Sequence, residues 1–139
     1  MKKIFLLTFF TLCAIHHSKA QEEKFNLTVN IAGLNSNDGN LLVGVYNKEE
    51  FFLKKPFQSN IVKVKNNQSL VIFKNLPKGI YAVSFVHDAN DNKKMDTNFI
   101  GIPKEDYGCS NNAKGILGPP KYEDAQFILD KNKTIQIKI

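Results

Sequence analysis

Phe25-Asn26-Leu27-Thr28-Val29-Asn30-Ile31 alternates apolar and polar side chains at every step. In an extended chain successive side chains point to opposite faces, so this stretch predicts a strand with one apolar and one wet face. The segments around it repeat the same grammar. Gly33-Leu34-Asn35-Ser36-Asn37-Asp38-Gly39 is a cluster of turn formers, and Leu41-Leu42-Val43-Gly44-Val45-Tyr46 follows as a more continuously apolar strand, the pattern of a central one. Lys48-Glu49-Glu50-Phe51-Phe52-Leu53-Lys54-Lys55 has some helical character, but Pro56 stops it, which predicts a short helical turn.

Ile61-Val62-Lys63-Val64-Lys65 and Leu70-Val71-Ile72-Phe73, joined through Asn66-Asn67-Gln68, predict a hairpin, and Leu76-Pro77-Lys78-Gly79 turns the chain into Ile80-Tyr81-Ala82-Val83-Ser84-Phe85-Val86. Ala125-Gln126-Phe127-Ile128-Leu129 and Thr134-Ile135-Gln136-Ile137-Lys138-Ile139 close the chain around a turn at Asp130-Lys131-Asn132. Seven strands at this spacing, with no helix between them, predict an all-β, seven-stranded antiparallel sandwich of Ig-like kind carrying one long ordered loop. A closed barrel is the alternative, since strand counting does not separate one closed sheet from two packed ones.

The 139 residues are an ordinary length for one domain. Residues 1–20 have a basic start at Lys2-Lys3, a short apolar run from Ile4 to Ile15, and small residues at Ser18 and Ala20. That three-part pattern predicts a cleavable secretory signal, with residues 21–139 as a single exported domain, periplasmic or secreted. The apolar run is too short to span about 30 Å of hydrocarbon as a helix, so no transmembrane anchor is expected after cleavage. Leu12 before Cys13 is too bulky for lipoprotein processing. Loss of Lys2, Lys3 and Lys19 leaves 16 Lys against 13 Asp plus Glu, a net charge of +3 in place of +6. The chain has no Arg, the residue that reads phosphates and guanine edges by paired hydrogen bonds, so no nucleic-acid partner is expected. Cys109 is the only cysteine left, which rules out an internal disulfide. A monomer is expected.

The interval from His87 to Asp124 is far longer than the other connections, and loops of this length are functional or disordered. Met95, Phe99, Ile100, Ile102, Tyr107, Ile116, Leu117 and Tyr122 argue for order, with these side chains folding back onto the sandwich. The interval opens with Asp88-Ala89-Asn90-Asp91-Asn92-Lys93-Lys94-Met95-Asp96, where oxygen-bearing side chains fall at every second position. This is the spacing of a calcium loop, in which Asp88, Asn90, Asn92 and Asp96 supply side-chain or water-bridged ligands and Lys94 its carbonyl. Lys93 stands where the sharp turn favours Gly, and Phe99 where a bidentate acid is expected, which makes calcium a weak ligand. The other reading of the same residues is an Asn/Asp turn whose side chains cap their own backbone. His87, on the strand face of Tyr81, Val83 and Phe85, stands at the mouth of the loop.

The run from His87 through Asp88-Ala89-Asn90-Asp91-Asn92-Lys93-Lys94-Met95-Asp96-Thr97-Asn98-Phe99-Ile100-Gly101-Ile102-Pro103-Lys104-Glu105, with Tyr107-Gly108, Ser110-Asn111-Asn112-Ala113, Gly118-Pro119-Pro120 and Phe127, resembles the signature of the bacterial DUF2141 family. The resemblance extends to Gly33-Leu34 and Leu76-Pro77-Lys78-Gly79-Ile80-Tyr81. It implies a small exported bacterial protein and carries no activity with it. Lys93 and Cys109 depart from the family pattern, where Gly and Phe are usual, and the second departure argues against a shared catalytic cysteine. Leu76-Pro77-Lys78-Gly79-Ile80-Tyr81 also resembles the strand entry of transthyretin-like and carboxypeptidase-regulatory sandwiches, an analogy of fold only. Two functions follow as expectations. One is an exported, non-enzymatic binding or interaction module for a protein or small ligand, with residues 88–124 as contact surface. The other is a periplasmic hydrolase or metal-dependent enzyme using His87, Asp88 and Asp96.

Overall fold

A computed structural model describes residues 22–139. The expected secretory leader, residues 1–20, lies outside the described residues. The elements run β1 (Lys24–Ala32), β2 (Asn40–Tyr46), a 3-10 turn (Glu49–Phe51), β3 (Gln58–Lys63), β4 (Gln68–Pro77), β5 (Gly79–Asp88), β6 (Tyr107–Cys109), a second 3-10 turn (Ser110–Asn112), α1 (Tyr122–Ala125), β7 (Phe127–Leu129) and β8 (Lys133–Lys138). The strands form two sheets, one ordered β4-β1-β8 and the other β3-β2-β5-β6 with β7 also paired to β5. The fold is all-β, two open sheets rather than a barrel.

Alternation places the core. Leu27, Val29 and Ile31 of β1, Val71 and Phe73 of β4 and Ile137 of β8 face Leu41, Val43 and Val45 of β2 and Tyr81, Val83 and Phe85 of β5 in one buried cluster. Each such side chain contributes about 1.5–3 kcal/mol by leaving water. A smaller cluster lies on the other side of the same strands: Tyr46 and Ala82 alternate with the core residues and pack with Phe52, Cys109 and Ala125. Tyr46 and Phe52 meet edge to face at 5.3 Å, and Phe52 and Tyr122 at 5.6 Å. The turn expected before Pro56 and the end of the long loop thus cover the outer face of the five-stranded sheet.

The strand arrangement differs from the sequence-based expectations in three places. Among the described residues there are eight strands, not seven, because Tyr107–Cys109 inside the long loop pairs with Ser84, Phe85 and Val86; three residues are too few to display a period. The sheets are not wholly antiparallel, because β1 and β8 run parallel from the Leu27–Lys133 pair to the Ala32–Lys138 pair. An alternating pattern buries the same face whichever way the strand runs. The expected hairpin of 61–65 with 70–73 is a corner instead. Only Lys65 and Gln68 pair, around Asn66 and Asn67 at φ 54 and 56, after which β4 joins β1 while β3 stays beside β2.

Candidate functional site

The five-stranded sheet delivers the end of β5 to the long loop, and the loop is built from side chains that satisfy backbone groups. His87, on the core face, is only 3% exposed; its Nε2 lies 2.8 Å from the Asp38 carbonyl and its Nδ1 3.8 Å from Asp106 Oδ2. Asp106 is held in turn by the Asn35 backbone N–H and side-chain amide, at 3.0 and 2.6 Å. Gly39 permits this packing: at φ +67, any Cβ would run into the Asp88 carbonyl. The 33–39 turn therefore buttresses the entrance to the loop.

Asp88 is fully buried and accepts hydrogen bonds from the backbone N–H groups of Asn92 (3.0 Å) and Lys93 (2.7 Å). Asn90 Oδ1 also accepts from the Asn92 N–H, and Asn92 Oδ1 accepts from the Lys94 N–H, at 3.1 and 2.9 Å. Asp96 accepts the side-chain amides of Asn90 (2.6 Å) and Asn92 (3.0 Å). Lys93 has φ 62, the left-handed conformation for which a glycine is favoured. Asp88, Asn90, Asn92, Lys94 and Asp96 are thus brought into one turn, with each side-chain oxygen group already hydrogen-bonded. Asp91 points elsewhere and accepts from Asn40 Nδ2 at 2.8 Å.

Glu105 is the residue that sequence reasoning missed. Its carboxylate accepts the Ala89 N–H at 3.2 Å and the Asp96 N–H at 3.0 Å, tying both ends of the turn. Its spacing from Asp88 matches no ligand pattern. What brings it there is the excursion between, where Lys104 N–H donates to the Asp96 carbonyl and Thr97 bridges to Pro103. Among the described residues, no three His, Cys, Asp or Glu side chains are placed to hold a metal ion. The donors that fit a hard cation are the six side-chain oxygens of Asp88, Asp96, Asn90 and Asn92 and the Lys94 carbonyl, and each of the six already accepts a hydrogen bond within the turn.

Beyond Asp96 the loop forms two tight turns. Asn98 organises the first: its Oδ1 accepts from the N–H groups of Ile100 and Ile102 at 3.0 and 2.9 Å, its N–H donates to the Ile102 carbonyl, and its carbonyl accepts from Gly101 at φ +82. The second turn, 115–118, is so close that a Cβ on Gly115 would strike the Gly118 carbonyl. These turns correct the expectation that the loop's apolar side chains fold back. Tyr122 packs on the outer cluster, but Phe99 is 98% exposed, Ile116 97% and Leu117 fully exposed, with Ile100 and Ile102 also outward. None of these five side chains joins either packed cluster. Neither of two shallow surface grooves, one beside Glu22 and Asn75 and the other beside Val62 and Gln68, includes His87, Asp88 or Asp96.

The fold and site define a small β-sandwich with one long, internally hydrogen-bonded loop. The sequence model of a bacterial family, described as an uncharacterized protein conserved in bacteria (DUF2141), matches residues 29–137, and the chain belongs to that family. No curated protein and no solved structure matches it. Among the described residues, no helix is long and apolar enough to cross a membrane.

Proposed function

We propose that the protein is an exported, monomeric, non-enzymatic binding module whose contact surface is the 88–124 segment. The observation that carries this reading is the exposure of Phe99, Ile116 and Leu117 on two tight turns of that segment. Large apolar side chains held out in water cost free energy, and a rigid sheet presenting them from a loop is the usual build of a recognition surface. Calcium is proposed as a weak ligand of the 88–96 turn, because an ion there competes with the Asn90 and Asn92 amides for Asp96 and lies beside Lys93 and Lys94. A hydrolase using His87, Asp88 and Asp96 is the weaker reading. His87 and Asp88 are buried and occupied by backbone partners, whereas catalysis requires groups that converge on accessible space.

The test is photo-crosslinking in cells, with a photoreactive residue replacing Phe99 or Leu117 and, as control, the outward-facing Ile72 of β4. Adducts of any partner class from the loop positions and none from Ile72 are expected. Equal adducts from all three, or none from the loop, would remove the contact-surface reading.

A further inference from the structure

An outer strand of a sheet turns alternate N–H and C=O groups to solvent, and another extended chain is what pairs with the whole row. Most edges of the two sheets interrupt that row. β6 and β7 are three residues each, and the β8 Lys138 N–H is taken by Asn112 Oδ1 at 2.9 Å. β4 holds one extra residue at Lys74-Asn75, between its pairings to Leu27 and Phe25, with Asn75 at φ 57, and it ends at Pro77. β3 carries no such device. It pairs with β2 without a break from Val45–Gln58 to Asn40–Lys63, residues 58–62 are uncharged, and among the described residues no backbone group outside that ladder is bonded to them. Ile61 is 60% exposed and heads a row across the outer face with Leu42, Val86 and Tyr107, which stand opposite one another on β2, β5 and β6. A side chain set beside Ile61 by an added strand lengthens that row.

Charge decides between a second copy and a different chain. From Phe51 to His87 the sequence has six lysines and no carboxylate. Four of them flank β3, Lys54 and Lys55 before it and Lys63 and Lys65 at its end; all four are exposed, and none is ion-paired among the described residues. The carboxylates nearest in the chain or around the Lys63 end are engaged: Glu50 lies 4.0 Å from Lys48, Asp38 accepts the Ser36 hydroxyl and Asp91 the Asn40 amide. Two copies paired through β3 bring these lysines together, and antiparallel pairing centred on Asn60 sets Lys55 of each copy opposite Lys65 of the other. A chain with carboxylates in the same places is attracted instead.

We propose that β3 takes up an extended segment of a different protein as an added strand, with neutral or apolar side chains opposite residues 58–62 and carboxylates at its ends facing the lysines. This goes beyond the contact surface at 88–124 and does not depend on it. Backbone pairing supplies the attachment, and the flanking charges select the chain.

The experiment is fluorescence anisotropy of a labelled peptide of alternating Val and Thr with Asp at both ends, titrated with the purified protein. Binding is expected. It should weaken by at least about tenfold at low salt when the terminal Asp residues are replaced by Lys, because four exposed charges act together. It should vanish when alternate peptide nitrogens are methylated, which removes the donors of a strand. Lys54→Glu/Lys55→Glu/Lys63→Glu/Lys65→Glu should invert the preference for peptide ends and melt as the parent does, since those side chains are exposed. Bound peptide should slow amide exchange of residues 58–62 and not of 68–73. No binding of the acidic-ended peptide, indifference to its charge or to methylation, or protection on β4 in place of β3 overturns the inference. So does a chain that sediments as a dimer with residues 58–62 already protected. Phe99→Ser/Leu117→Ser should leave the affinity unchanged; a loss there would move the peptide to the 88–124 surface, so the two readings fail separately.

Discussion

Cys109 and Ser110 stand side by side at the end of β6, and each is defined by burial. Cys109 is 2% exposed in the outer cluster with Tyr46, Ala82 and Ala125, and burial pushes its thiol up to about 12. The thiolate is the reactive form, so at pH 8 the folded protein should react with a thiol reagent far more slowly than the guanidinium-unfolded chain, and the rate should keep rising beyond the ordinary thiol range. Rapid stoichiometric labelling of native protein at pH 8 would contradict this placement. Ser110 Oγ accepts the Val83 N–H at 2.9 Å and donates to the Ala125 carbonyl at 2.5 Å, bridging β5 at the point between its pairings with β6 and β7. Ser110→Ala leaves the Val83 N–H buried without a partner and should cost about 1–3 kcal/mol in a denaturant titration. A loss below about 0.5 kcal/mol, the scale of neutral surface changes, would mean that water replaces the hydroxyl.

At the scale of the element, the 88–96 turn is a choice between two uses of the same oxygens. As it stands, Asp96 holds the amides of Asn90 and Asn92, and Asp88 holds two backbone N–H groups. Calcium near the 10⁻⁴–10⁻³ M range of weak extracellular sites, supplied at about ten times its dissociation constant, should stabilise the domain by roughly 1.4 kcal/mol and raise the Tm by about 5 °C. Asp96→Asn should abolish most of that shift. Asp91→Asn should leave it, because Asp91 faces Asn40. Magnesium should do less, since it dehydrates reluctantly and demands a tighter octahedron. A chelator-treated protein whose melting is unmoved by calcium in the ten-millimolar range, well above that weak-site window, would leave the self-capped turn as the whole account. The oxygen spacing of this turn was legible because alternate side chains in a short turn share a side. Glu105 was not, since its approach depends on the closure of the 97–103 excursion by Asn98 and Gly101.

For the whole molecule, stability comes from one core shared by the two sheets and a smaller cluster outside the larger one. Cys109 is free and buried, and a chain cleaved after Ala20, as proposed, holds no second cysteine with which to bridge it. Reducing agent should leave the Tm of residues 21–139 unchanged. A large fall would reveal an intermolecular disulfide and a dimer in place of the monomer.

Alternation in Leu27-Val29-Ile31, Leu41-Val43-Val45 and Tyr81-Val83-Phe85 was enough by itself to determine an all-β chain and most of its buried face, because side-chain direction in a strand follows from the local backbone alone. The family could also be read from the residues, since a signature is a matter of identity and order. Strand direction, the corner at Asn66-Asn67, the short β6 and the outward turn of Phe99, Ile116 and Leu117 were decided only by the tertiary structure. The physical reason is common to all four. Hydrophobicity says which side chains gain by burial, but which of them find a partner depends on distant segments closing on one another. For Phe99 and Leu117 no described segment closes over them, and they stay exposed.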